Sequence, residues 1–186
     1  SKDASGSGIP MCGLPFHALD GYLAKLVGKG FRVALCEQVE DPKKAKGVVR
    51  REVVRVVSPG TYTETGYLDD RAPTLLMAIV RHPAAGEGTG GAGGQDRYGM
   101  SVLDVSTGEF STSEYEGDTG RQALRDDVAM LRPREVLLSS EEDLRPLLPD
   151  SPVPAVTAVE PWTFDEHRAR EALAEQFGTA SLDGFG

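Results

Sequence analysis

From Leu75 onward the apolar residues change period in a way that leaves few folds open. Leu75–Arg81, Tyr98–Val105 and Glu109–Tyr115 each read as strands, and the second pair turns at Ser106-Thr107-Gly108. Asp118–Leu131 then switches to helical spacing, with Leu124, Val128 and Leu131 on one face and Pro133 closing it. Glu135–Leu138 is a short apolar strand, Glu141–Leu147 a short helix and Val153–Val159 a further strand despite Pro154. Thr163–Phe177 is a helix, with Thr163 expected as its N-cap and Glu166 at the capping-box spacing. Three consecutive strands followed by helix–strand alternation predict a mixed sheet with helices on its faces, an α/β (mixed) fold.

Ahead of this body lies a different kind of segment. Leu19, Tyr22, Leu23, Leu26 and Val27 recur at the spacing of one helix face, so His17–Lys29 is predicted helical, stopped by Gly28 and Gly30. Phe31–Val39 alternates, placing Phe31, Val33, Leu35 and Glu37 on one side of a strand, with Cys36 expected as a small core residue. Val48–Val57 is rich in β-branched residues and ends at Ser58-Pro59-Gly60. Residues 61–72 have no clear period and read as a linker between a first domain, 1–60, and a second, 73–186. Ser1–Gly8 is a Ser/Gly-rich lead-in.

Charge divides along the same line. The net charge of −9 is the sum of +4 over residues 1–60 and −13 over residues 61–186. A basic lobe on an acidic body is one way an acidic chain binds a polyanion; ordinary solvation is the plainer reading. Lys43, Lys44 and Lys46 cluster in one connector, and Arg50, Arg51 and Arg55 follow on the strand. Strand residues four apart face the same way, so Arg51 and Arg55 are expected on one face and Arg50 on the other. Such side chains neutralise phosphates without reading sequence; the alternative is a charged edge that discourages strand-to-strand association. The loop Pro10–His17, stiffened by Pro10 and Pro15 and carrying Met11, Leu14 and Phe16, suits either core packing or apolar contact with a minor groove.

Catalytic signatures are sparse. The glycines of residues 82–97 lack the G-x-x-x-x-G-K-[ST] spacing that cradles phosphates, and a mobile hairpin loop is expected there. His17, His82 and His167 are scattered, with His82 read as a loop residue and both His82 and His167 as solvated. Cys12 and Cys36 read as a reduced pair. Asp104, late in a strand, and Glu109 beside it could serve a divalent-metal nuclease, although that chemistry needs three or four converging carboxylates. The competing expectation is that Asp104 bonds the amides of the tight turn after it. No apolar run approaches the roughly 20 residues of a membrane span.

Several blocks together resemble the MutS family of DNA mismatch-repair proteins: Ile9–Ala18, Tyr22–Val27, Ala34–Pro42, Val48–Thr61, Leu103–Phe110, Gln176–Thr179 and Leu182–Gly186. The resemblance implies that residues 1–60 are the C-terminal half of a mismatch-recognition domain and 73–186 most of a connector with an RNase H-like fold. It places the Pro10–His17 loop near duplex DNA, where Pro10, Met11 and His17 are expected by the backbone or minor groove and Arg51 is expected to support a phosphate. It implies a mismatched-DNA substrate, a MutL-type partner through the connector, a homodimeric parent and a cytoplasmic, nucleoid-associated location. The family's mismatch reader is a Phe-x-Glu expected upstream of Ser1, and Phe164-Asp165-Glu166 is a decoy at a helix start. ATP and Mg²⁺ belong to domains of the parent outside this chain, so the expected fragment is a binding module with no cofactor, catalytic or metal site. The absence of an initiator Met and the abrupt stop after Asp183-Gly184-Phe185 mark it, on this reading, as a piece of a longer protein.

Overall fold

The computed structural model describes residues 14–41, 47, 49–62, 73–84, 94–150 and 154–185. The chain divides into two compact units between Val57 and Ser58.

In the first unit, a 3-10 turn over Phe16–Ala18 leads into helix α1, Leu19–Val27. The turn accounts for the later start of the α-helix: the Ala18 amide donates to the Pro15 carbonyl (2.9 Å), an i→i−3 bond. Leu23 and Val27, four apart, are the residues α1 buries. Beyond Gly28, Gly30 takes a φ of +85°, which a side chain would resist, and the Phe31 amide folds back onto the Leu26 carbonyl (3.1 Å). Strand β1, Val33–Gln38, then pairs antiparallel with β2, Arg51–Val57, as a two-stranded ribbon. Cys36 is exposed in this ribbon rather than in a core. α1 packs on β1, and the half-buried positions of that strand are Val33 and Leu35. Cys36 alternates to the opposite face.

The second unit is built on a five-stranded mixed sheet. Its strands are β3 Leu75–His82, β4 Arg97–Asp104, β5 Phe110–Glu116, β6 Glu135–Ser139 and β7 Ala155–Val159, in the spatial order β5-β4-β3-β6-β7. β3, β4 and β5 are antiparallel neighbours, while β6 pairs parallel with β3 and β7 parallel with β6. This is the RNase H-like arrangement that the resemblance implied. His82 is the last residue of β3, opposite Arg97, and not in a loop.

Helix α2, Gly117–Leu131, covers one face of this sheet. Leu124 and Val128 are fully buried among Met77, Ile79, Met100, Val102, Val136 and Leu138. Burial of this kind stabilises by about 1.5–3 kcal/mol per large aliphatic side chain. The helix is further fixed by two polar ties. The Tyr115 hydroxyl donates to Asp127 at 2.6 Å, and burial together with that carboxylate pushes the phenol up to about 12. The Arg125 guanidinium donates to the Pro146 carbonyl at 2.9 Å.

Two predicted helix boundaries move. Of Glu141–Leu147, only Arg145–Leu147 is helical, as a 3-10 turn. Pro146 has no amide to donate and restricts Arg145, so an α-helix does not propagate there. Helix α3 runs Glu166–Phe177, and its N-cap is Asp165, whose carboxylate accepts from the Arg168 amide at 2.9 Å. Thr163 lies instead in a 3-10 turn, Pro161–Phe164, that precedes the helix. Phe164-Asp165-Glu166 therefore spans a turn and a helix cap.

Ser58–Tyr62 belongs to the second unit and is held there by a buried carboxylate. Glu135, 1% exposed, accepts from the Gly60 amide (2.8 Å) and from the Thr157 hydroxyl (2.5 Å). The turn is internally closed by Ser58 and Thr61, and Tyr62 beyond it is buried. A Cβ on Gly60 would stand 2.8 Å from Leu76 and 2.9 Å from the Glu135 side chain. Gly60→Ala is accordingly expected to lower stability by about 1–3 kcal/mol in urea denaturation. Tyr115→Phe, which leaves Asp127 without its donor, should cost about 1 kcal/mol in the same measurement.

Candidate nucleic-acid interface

The β1–β2 ribbon carries the basic residues, and its register decides which way they point. Val33 pairs with Val57, Ala34 with Val56 and Leu35 with Arg55; the next pair is Cys36 with Val53. Val54 is thus an extra residue, a β-bulge that lets two residues of β2 oppose one of β1. Directly paired residues share a face, so Arg55 lies with Leu35, and Arg51 with Cys36 and Gln38. Arg51 and Arg55 are therefore on opposite faces, contrary to the simple alternation. Arg50, whose carbonyl accepts from the Val39 amide (3.0 Å), falls opposite Val39 and so on the Arg55 face.

The two faces differ in character. One holds Val33, Leu35 and Val57, with Arg50, Glu52 and Arg55 at exposed positions. The other holds Ala34, Cys36, Val53 and Val56, all exposed, with Arg51 at its end. Arg50 forms an ion pair with Glu52, and its amide donates to the Glu40 carboxylate at 2.9 Å. The Arg51 guanidinium donates to the Val49 carbonyl at 3.2 Å. Both guanidinium groups are exposed, and surface pairings of this kind are worth at most about 1 kcal/mol, little obstacle to a phosphate. Lys25 adds a further cation on α1, 5.6 Å above the Tyr22 ring.

Of the residues expected near DNA, His17 is exposed in the 3-10 turn before α1, and Arg51 begins β2. Pro10 and Met11 lie outside the described residues, as do Lys43, Lys44, Lys46 and most of the glycine-rich loop. The bulge is the feature that sequence reading missed. Val53-Val54 is an ordinary β-branched pair, and nothing in its letters marks one member as supernumerary.

Asp104 is committed to its turn. Its carboxylate accepts from the Ser106 amide (2.9 Å), the Ser106 hydroxyl (2.6 Å) and the Thr74 amide (3.3 Å). The hydrogen bonds from Ser106 hold its carboxyl below the ordinary carboxylate value. Glu109 contributes its backbone: the Asp104 amide donates to the Glu109 carbonyl at 2.8 Å. Among the described residues no three His, Cys, Asp or Glu side chains converge as a metal site would require. His167 is exposed on α3 beside Glu171 at 3.4 Å.

Comparison with known proteins matches both units. Residues 1–66 match the family model for MutS domain I, and residues 74–186 that for MutS domain II. The DNA mismatch repair protein MutS of Syntrophobacter fumaroxidans is 45% identical over 181 residues, covering 96% of this chain and 19% of that protein. That of Pelotomaculum thermopropionicum is 40% identical over 181 residues, with 96% and 20% covered, and that of Methanosarcina barkeri 40% identical over 188, with 100% and 21% covered. The chain spans about a fifth of the length of these curated relatives.

The Asp104 turn has a pH signature. A carboxyl held below its ordinary value stabilises the fold above that value, and the contribution disappears as pH falls through the lowered one. The stability lost in Asp104→Ala is therefore expected in full at neutral pH and should shrink on acidification below the ordinary carboxylate range. Urea titrations at a series of pH values between about 7 and 3 check this.

Proposed function

The chain belongs to the MutS family, carrying its mismatch-recognition and connector domains, and from that premise we propose that it binds mispaired duplex DNA and relays that binding to ATPase domains outside these residues. The observation that carries the reading is the ordered match of the two domain models along nearly the whole chain, with the exposed arginines of β2 inside the first. In this proposal Arg51 neutralises a backbone phosphate, and the Pro10–His17 loop lies along the DNA backbone or minor groove, with Pro10, Met11 and His17 as its contacts.

Arginines on both faces of a two-stranded ribbon suit contact with phosphates better than base reading. Phosphate contacts fix position and carry no sequence information. Base-pair inspection is left to a Phe-x-Glu outside this chain, and ATP and Mg²⁺ to the parent's other domains. The connector is proposed to present a surface to a MutL-type partner, within a homodimeric parent working in the cytoplasm at the nucleoid. The fragment itself acts as a binding module and not as a catalyst.

Labelled duplexes with and without a G·T mismatch test the proposal by titration at several salt concentrations. Weak binding is expected, with little preference for the mismatch and a steep loss of affinity as salt rises. Arg51→Ala should weaken both duplexes equally and reduce the slope of log K against log salt by about 1. A strong mismatch preference, or a salt slope unchanged by Arg51→Ala, would contradict these assignments.

A further inference from the structure

Among the described residues, the sheet of the second unit has an open edge with a groove beside it. β7 ends the sheet, and its five residues, Ala-Val-Thr-Ala-Val, include no charge and no bulge. Natural edges are usually guarded by such features; here the nearest guard is Pro154, just ahead of the strand. The opposite edge, β5, is a contrast, since it carries Ser111, Thr112, Ser113, Glu114 and Glu116.

Two backbone bonds fix which groups of β7 face outward. The Ala155 amide donates to the Arg134 carbonyl (3.2 Å), and the Val159 carbonyl accepts from the Ser140 amide (2.9 Å). Along a strand the bonding direction alternates, so Ala155, Thr157 and Val159 bond inward to β6. The amides and carbonyls of Val156 and Ala158 point to the open side. The side chains of these two residues also line a groove of about 440 Å³ at the C-terminal ends of β6 and β7. Leu138 completes its apolar floor, and Glu141, Glu142 and Asp143 form its wall.

The charges of the wall favour a cation. Among the described residues, Arg145 is the one basic residue lining the groove, against three carboxylates. Glu142 also faces Arg81 at 3.6 Å, which is shared with Asp96 at 3.7 Å. Glu160 follows β7 directly and extends the negative edge, in a stretch whose balance over residues 61–186 is −13.

We infer that β7 and this groove receive an extended, basic segment of a partner polypeptide, added to the sheet as a sixth strand. Its backbone pairs with Val156 and Ala158, an apolar side chain lies on Leu138, and a Lys or Arg reaches Glu141, Glu142 and Asp143. Strand addition of this kind draws affinity from main-chain bonds and selectivity from alternate side chains. The inference is independent of DNA binding, which is assigned to the other unit.

The test uses the full 186-residue chain and a fluorescein-labelled hexapeptide alternating lysine and valine, read by anisotropy. A hexapeptide alternating glutamate and valine is the control, expected to bind at least about tenfold more weakly. Joint replacement by Glu141→Gln, Glu142→Gln and Asp143→Asn should weaken the lysine peptide by about tenfold. Ala158→Pro removes one outward amide while leaving the bonds to β6, and should abolish binding with an unchanged circular dichroism spectrum. Should that variant fail to fold, slowed amide exchange at Val156 and Ala158 in the parent chain, on adding the lysine peptide, decides the matter. Equal affinity for the two peptides, or exchange at those amides unaffected by the lysine peptide, would overturn the inference. So would self-association of the chain, abolished by Ala158→Pro, in place of peptide binding, because the occupant would then be a second copy.

Discussion

Glu135 holds its carboxylate where water does not reach, between a strand of the central sheet and the turn that opens the second unit. Burying a charge costs several kcal/mol unless its lone pairs are satisfied. Here one oxygen takes the Gly60 amide and the other the Thr157 hydroxyl. The first bond requires a backbone with no Cβ at residue 60, because Leu76 and Glu135 already fill that space. The second reaches across to β7 and so helps to keep the edge strand in register. A single side chain thereby joins three stretches of chain that lie far apart in sequence. Ser58-Pro59-Gly60 is a strong local stop signal, yet what the turn packs on is set by a residue 75 positions later.

The periodic parts of the fold were readable because each follows one dominant force. Leu124 and Val128 recur at helical spacing, and the helix they define buries both completely. β3, β4 and β5 are long enough for alternation to be seen, and their order dictated a mixed sheet. The misreadings fall where a local interaction overrides the period. Thr163 has the right letter for an N-cap, but Pro161 starts a 3-10 turn that carries it past the cap position and leaves Asp165 there. Residues 141–147 have helical composition, yet Pro146 limits them to a single turn.

The candidate interface was legible in composition and not in geometry. Charge counting finds Arg50, Arg51 and Arg55, and block resemblance supplies their context. Their facing depends on the cross-strand pairing of β1 with β2, which is not a local property of β2. Cys36 was misplaced for a related reason. Its neighbours are apolar, but the ribbon buries only the face that carries Val33 and Leu35.

The bulge has a consequence for descent. Val54 is the residue the ladder does not use, so losing its codon would leave every flanking pair, from Arg51 with Gln38 to Val57 with Val33, with its present partner. A duplication or deletion of one codon elsewhere in β2 would have to be absorbed by moving the bulge or by turning part of the strand over. Position 54 is thus where lineages of this ribbon can differ in length by one residue while keeping Arg51 and Arg55 on their separate sides.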